Sequence, residues 1–301
     1  EQAKELWQAD PRNRPQVEAY YSQADLLLYG GAAGGGKTDL LIGTATTAHE
    51  NAVIFRDSFP NLQGMIHRIL KIYPRSAWRQ SPHPLLRWRD CILELGALGQ
   101  PGAESDWRGR PHDFIGFDEG ADIAEDKVSF VLGWLRSTTP GQRKRAIIAS
   151  NPPLGGQGEW LVAWFAPWLD PLFPEPAKPG ELRWCVSDPQ GEIIWVEGPG
   201  SYEIEGDTEP REAHSRTFIP ALLKDNPHLT GTGYERQLDM LPEPMRSQLK
   251  TGDFLSGRKD HPLQVIPTAW VEAANERHAS GKPRGQPMTA IGADVAVSID
   301  E

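Results

Sequence analysis

Nine residues near the start of the chain, Gly30-Gly31-Ala32-Ala33-Gly34-Gly35-Gly36-Lys37-Thr38, constrain its fold more than any other stretch. From Gly31 onward they fit the spacing G-x-x-x-x-G-K-[ST], in which a glycine-rich turn wraps a chain of phosphates. The flanks agree. Leu26-Leu27-Leu28-Tyr29 is a short apolar run that reads as a buried strand, and Thr38-Asp39-Leu40-Leu41-Ile42 opens a helix pattern. A turn between strand and helix points backbone N–H groups and the positive end of the helix dipole at an anion. In this spacing the backbone of Gly31, Ala32, Ala33, Gly34, Gly35 and Gly36 forms the cradle. Lys37 reaches the β/γ-phosphates and the Thr38 hydroxyl holds Mg²⁺. The alternative is a flexible Gly/Ala loop, but Lys-Thr directly after the last glycine, between strand and helix, speaks against it.

Strands and helices alternate through the first half. Ala52–Arg56 reads as a second strand, and Leu62, Ile66, Ile69, Leu70 and Tyr73 fall at helical spacing between Pro60 and Pro74. Leu85–Arg89 with Cys91–Leu95 reads as a hairpin, His112–Phe117 as a strand, Val128–Leu135 as a helix and Arg145–Ser150 as a buried strand. Alternation of this kind predicts a parallel α/β sheet with its ligand at the carboxyl ends of the strands. The second half differs. We expect a helix over Glu159–Leu169, with Trp160, Trp164 and Trp168 packing on one side. A proline-rich surface loop should follow at Pro171–Gly180. Strands are expected at Arg183–Ser187, Glu192–Glu197 and Arg216–Leu222, an acidic mobile stretch at Tyr202–His214, and helices at Tyr234–Met240 and Glu243–Lys250.

Phe114-Ile115-Gly116-Phe117-Asp118-Glu119 is an apolar strand that delivers two carboxylates at its tip, about 80 residues after the glycine loop. Asp118 would hold the Mg²⁺ shell and Glu119 would orient and deprotonate an attacking water, the two roles that phosphate hydrolysis needs. Ser150-Asn151-Pro152 ends another strand. Asn151 could hydrogen-bond the water or the terminal phosphate, although a plain Asn-Pro turn accounts for it equally well. Arg108 and Arg110 lie just upstream of the acidic strand. A guanidinium on the terminal phosphate accelerates transfer by on the order of 10³–10⁵, but two solvated arginines explain the pattern as well. Gln16 could bond an adenine edge, or be an ordinary surface glutamine. Asp294, amid Ile291, Ala293, Val295 and Val297, is costly on a buried strand unless paired or metal-bound; an exposed edge is the other solution.

Bulk properties narrow the class. The 301 residues suit one large or two ordinary domains. Two distant cysteines, Cys91 and Cys185, make neither a disulfide framework nor a metal motif, and the eight histidines lack ligand spacing. No apolar run reaches the roughly 18 residues of a membrane span, and nothing resembles a signal peptide. A net charge of −10 excludes a globally basic nucleic-acid coat but leaves local stripes open. Candidates are His67-Arg68 with Lys71, Arg75 and Arg79, then Arg87 with Arg89, then Arg143-Lys144-Arg145. The chain starts at Glu1 without methionine and ends just after a strand-like run, so we expect a piece of a longer protein.

Together these residues resemble the large subunit of tailed-bacteriophage terminases, the motors that package DNA into proheads. The similarity runs through Arg14-Pro15-Gln16, Gly31–Thr38, Trp107–Asp113 into Phe114–Glu119, and Ser150-Asn151-Pro152. It continues through Ser215–Ala221 with Asp225-Asn226-Pro227, Gly252-Asp253-Phe254 and Gly292–Ala296. The resemblance implies an α/β fold: a P-loop, ASCE-like, mostly parallel sheet flanked by helices over 1–215. A small lid/linker subdomain over 216–280 and the first strand of an RNase H-like nuclease over 281–301 would follow. It further implies that Gln16 contacts adenine, that Glu119 is the catalytic carboxylate, and that Asn151 lies in a coupling motif. Arg108 would act in trans as a finger, with Arg110 as runner-up. Asp294 would be the first metal ligand of the nuclease, whose other carboxylates should lie beyond Glu301. Implied cofactors are ATP and Mg²⁺, with Mg²⁺ or Mn²⁺ for the nuclease of a longer protein. Implied partners are double-stranded DNA, the portal protein, the small terminase subunit and copies of the chain in a ring, in the host cytoplasm at the procapsid and with no membrane. A helicase-like DNA-dependent ATPase, a small-molecule kinase and a non-catalytic nucleotide-binding module are the alternatives.

Overall fold

The computed structural model describes residues 7–153, 157–243 and 245–255, together with positions 266, 270, 271, 273, 274 and 277. In chain order, helix α1 (Arg14–Tyr21) leads into strand β1 (Leu26–Gly31), helix α2 (Lys37–Ala48), strand β2 (Asn51–Arg56) and helix α3 (Gln63–Ile72). Strands β3 (Trp78–Arg79), β4 (Leu85–Trp88), β5 (Cys91–Ala97) and β6 (Phe114–Asp118) follow, then α4 (Glu125–Leu132) and β7 (Arg145–Ser150). Short helices α5 (Trp160–Trp164) and α6 (Ala166–Leu169) precede β8 (Arg183–Ser187), β9 (Ile193–Val196), β10 (Ser201–Tyr202), β11 (Arg211–Glu212) and β12 (His214–Ala221). The last described helices are α7 (Tyr234–Asp239) and α8 (Met245–Thr251).

Among the described residues ten strands form one sheet in the order β3-β4-β5-β2-β6-β7-β1-β12-β8-β9. The six from β5 to β12 run parallel, and antiparallel strands extend both edges. Parallel strands buried on both faces need no polar alternation, which is why β1 and β7 read as continuous apolar runs. Their side chains still alternate between faces. Leu27 and Tyr29 join the core beneath α1, α2 and α3, whereas Leu26 and Leu28 join the core beneath α4 and α5. β7 lies between β1 and β6, so one strand separates the glycine loop from the acidic tip. The register aligns these tips on one edge: Phe55 pairs with Phe117, Asp118 with Ala149, Gly30 with Ser150 and Gly31 with Ala221.

Three expectations change. The helix expected over Glu159–Leu169 breaks at Phe165 into α5 and α6. Pro167 has no N–H for the turn before it, and in a continuous helix its ring would clash with the Ala163 carbonyl four residues back. Helix α4 stops at Leu132, and Leu135 instead bridges His112. The acidic stretch Tyr202–His214 is partly ordered by pairing of β10 with β11. Residues 1–258 group as one compact unit and 259–301 as another. The expected 215/216 boundary lies within the residues of β12. The nuclease start at 281–301, Asp294 included, lies outside the described residues. Cys91 and Cys185 are both free and buried. Among the described residues no helix is long and apolar enough to cross a membrane.

Ile147 is fully buried at the centre of β7. Ile147→Ala should cost about 2–5 kcal/mol of unfolding free energy with an unchanged denaturant slope, measured by urea titration. A loss below about 1 kcal/mol would contradict the packing described for the central strand.

Candidate active site

The carboxyl edge of the sheet opens into a cleft of about 800 Å³, within the range of small-molecule sites. The glycine loop forms its floor. Gly31, Gly34 and Gly36 take φ values of +128°, +86° and +81°, which side chains with a Cβ rarely adopt, and Gly36 in this left-handed conformation starts α2. Donors from separate elements hold successive loop carbonyls. Asn226 Nδ2 donates to the Gly34 oxygen at 2.6 Å, Tyr29 Oη to that of Gly35 at 3.0 Å, and Gln16 Nε2 to that of Gly36 at 3.1 Å. Asn13 Nδ2 adds a longer bond of 3.5 Å to Gly35 while its Oδ1 caps α1. In a planar trans peptide, C=O and N–H point in opposite directions. Carbonyls held on one side therefore aim the N–H groups of Gly35, Gly36 and Lys37 to the other, the arrangement of an anion-binding nest. The loop thus joins strand β1 to helix α2 at the carboxyl edge of a mostly parallel α/β sheet.

Lys37 is buried, and its Nζ donates to the Ala32 oxygen at 2.7 Å. Desolvation pulls its pKa down to about 8, against the opposing pull of Glu119 and Asp118. Thr38 Oγ1 donates to Asp118 at 3.0 and 3.2 Å. Asp118 is almost fully buried. It accepts two more bonds from Arg56, at 2.8 Å from Nε and 2.6 Å from Nη2. A buried carboxylate must be matched in this way. Thr38 and Asp118 are the oxygen donors that an Mg²⁺–phosphate group needs, so the residues present fit that ion.

Glu119 follows Asp118 with φ +54°, and this left-handed turn breaks the strand direction. Its side chain, about 35% exposed, lines the same cleft as Lys37 and Thr38. Asn151 Nδ2 donates to Glu119 Oε2 at 3.0 Å, and Arg56 Nη2 stands 4.0 Å from Oε1. Burial, and then the Asp118 charge, raise the Glu119 pKa above its ordinary value; Lys37 and Arg56 oppose this. Asn151 Oδ1 is buried without a partner among the described residues. Ser150 Oγ accepts the Ala121 N–H at 3.0 Å, tying the β7 tip to the turn that carries Glu119.

The loop, Lys37, Thr38, Asp118, Glu119, Asn151 and Gln16 thus come together in space. Arg108 and Arg110 do not join them. Arg108 is exposed, 5.7 Å from the Phe130 ring, while Arg110 pairs with Glu94 at 2.5 Å and lies 4.2 Å from the Trp107 ring. Three arginines of the basic candidates are engaged elsewhere. Arg143 and Arg145 donate to main-chain carbonyls of Tyr20, Ser22 and Ala24, and Arg68 pairs with Asp39 at the rim of the cleft. Sequence reasoning missed Arg56. Its only signal was a basic residue at a strand tip, and strand order was needed to set it beside Asp118.

No protein-family model matches the sequence, and neither does any curated protein. Several solved structures are similar in fold. The large terminase of a thermophilic bacteriophage aligns with a TM-score of 0.49 and 14% identity, over 81% of this chain and 53% of that one. The same protein in complex with ADP aligns at 0.48 and 12%, over 82% and 54%. The ATPase domain of the Thermus phage P74-26 large terminase aligns at 0.46 and 16%, over 83% and 95%. The chain spans about half the length of the first of these terminases, with or without ADP.

Lys37 must carry its proton to hold a phosphate chain. With its pKa about 8 in the free site, affinity for a polyphosphate should be flat below that pH. It should then fall as pH rises, approaching about tenfold per unit. Titration with tripolyphosphate between pH 7 and 10 checks this; constant affinity would contradict the assignment of Lys37.

Proposed function

We propose that this chain hydrolyses ATP and that hydrolysis drives double-stranded DNA as part of a viral packaging motor. The hydrolytic half is carried by one juxtaposition. Glu119, bonded to Asn151, faces the cleft lined by the loop amides, Lys37 and Thr38. A passive nucleotide-binding module has no use for a base there. The packaging half is supported by the sequence motifs from Arg14-Pro15-Gln16 to Gly252-Asp253-Phe254.

In this reading the triphosphate lies along the loop with its terminal phosphate beside Lys37 and Glu119. Glu119 accepts a proton from a water whose oxygen attacks the γ-phosphorus. The bond from that phosphorus to the bridging oxygen breaks, and ADP leaves with the charge near Lys37. Asn151 orients the carboxylate with its amide N–H, and its Oδ1 is left to accept a bond from water. A divalent cation, held by Thr38 and Asp118, would neutralise phosphate charge. Gln16 keeps its Oε1 for the adenine amino group while Nε2 braces Gly36.

The same proposal extends outward. Subunits form a ring on the portal protein in the host cytoplasm, fed by the small terminase subunit. Arg108 of one subunit, with Arg110 as the alternative, reaches the nucleotide of the next. Grip on DNA is through phosphates, hence tolerant of sequence and sensitive to salt. A longer protein would add the Mg²⁺- or Mn²⁺-dependent nuclease begun at Asp294.

ATPase activity should rise when long duplex DNA is added. Glu119→Gln should abolish the activity by at least about 100-fold in either condition while still binding a fluorescent ATP analogue. Unchanged turnover in that variant refutes the base, and indifference to DNA counts against the motor. Arg108→Ala subunits mixed with Glu119→Gln subunits should regain part of the lost activity. No recovery at any ratio, with both proteins folded, rules out Arg108 acting in trans.

A further inference from the structure

The chain after β12 returns across the glycine loop and grips it at two peptide groups, 32–33 and 34–35. Asn226 Nδ2 donates to the Gly34 oxygen at 2.6 Å. The Ala33 N–H donates to the Leu249 oxygen of α8 at 2.8 Å. The first grip is backed from behind. Asn226 is 9% exposed, its Oδ1 accepts the His228 N–H at 3.0 Å, and its own carbonyl accepts from Leu229 and Thr230. The amide is thus locked within its own turn before it reaches the loop. Leu223 and Leu229 close over Gly34 so tightly that an added Cβ there would lie 2.8 and 3.0 Å from their methyls.

Of the donors that hold carbonyls 34 to 36, Tyr29 sits on β1 and Gln16 on α1, beside the sheet. Asn226 alone comes from the returning segment. The peptide it holds carries the Gly35 N–H on its opposite side, toward the cleft. If the segment shifts, this peptide is free to rotate and the nest loses one aimed donor. By linkage, whatever the segment does for the phosphate, the phosphate does for the segment.

We propose that Asn226 is a positioning residue for phosphate binding: through the Gly34 carbonyl it makes the anion affinity of the loop depend on where the segment after β12 sits. Nucleotide occupancy is thereby transmitted to that segment. The inference rests on the reading that the loop binds a nucleoside triphosphate and identifies the side chain that couples binding to movement.

Two variants separate this role from simple support of the turn. Asn226→Asp keeps the acceptor for His228 but sets oxygen against oxygen at Gly34. Asn226→Ser keeps a neutral acceptor for the turn but is too short to reach the loop, and so controls for charge. Both should bind fluorescent ADP about ten- to a hundredfold more weakly than the parent protein, as loss of a buried hydrogen bond implies. Amide exchange supplies the second readout. Saturating nucleotide should slow exchange in residues 222–243 of the parent chain and leave the variants unchanged. Variant affinities within about twofold of the parent, or equal protection at saturation, overturn the proposal. A parent chain that binds no nucleotide overturns the nucleotidase reading itself, and the proposal with it.

Discussion

A loop that offers its N–H groups to an anion must dispose of its carbonyls on the other side. The rest of this molecule is arranged around that requirement. Residues 32 to 36 cannot bond to one another in a regular ladder, and unpaired buried carbonyls are costly. Here α1 with its cap residue Asn13, β1, the α2 lysine and the segment after β12 supply the donors. The cradle is therefore a property of four elements that meet, and each becomes sensitive to what the cradle holds.

The second constraint is charge. Lys37, Asp118 and Glu119 share a poorly solvated corner in which none is tolerable alone. Arg56 and Thr38 satisfy Asp118, Asn151 satisfies one oxygen of Glu119, and Lys37 turns back on Ala32. A depressed lysine beside a raised glutamate fits a site for an anionic ligand, because a polyphosphate would favour the charged lysine and the neutral carboxyl. The interposed strand β7 sets the spacing. It keeps the acidic tip one strand from the loop and brings Asn151 between them.

Much of this was legible in the chain. Short apolar runs ending in Gly-Gly, Asp-Glu or Ser-Asn could only be buried strands with polar tips, and they are β1, β6 and β7. Side-chain partnerships were not legible. Arg110 read as free until the fold set it beside Glu94, and Arg143 and Arg145 read as a basic stripe until their guanidiniums met carbonyls at and just after the end of α1. The tryptophan helix read as continuous because spacing reports a face and not the break that Pro167 imposes.

By itself the sequence determined the local conformations: glycines where φ must be positive, a lysine and a threonine at the first turn of a helix, carboxylates at the end of an apolar strand. These depend on neighbours in the chain and on backbone sterics. Only the tertiary structure decided that Arg56 matches Asp118, that Asn151 holds Glu119, and that Asn226, 192 residues further along the chain, fixes the Gly34 peptide. Such contacts depend on strand order and on the path of the chain back across the sheet edge. Both follow from burying two apolar faces at once, a condition that no short stretch of sequence contains.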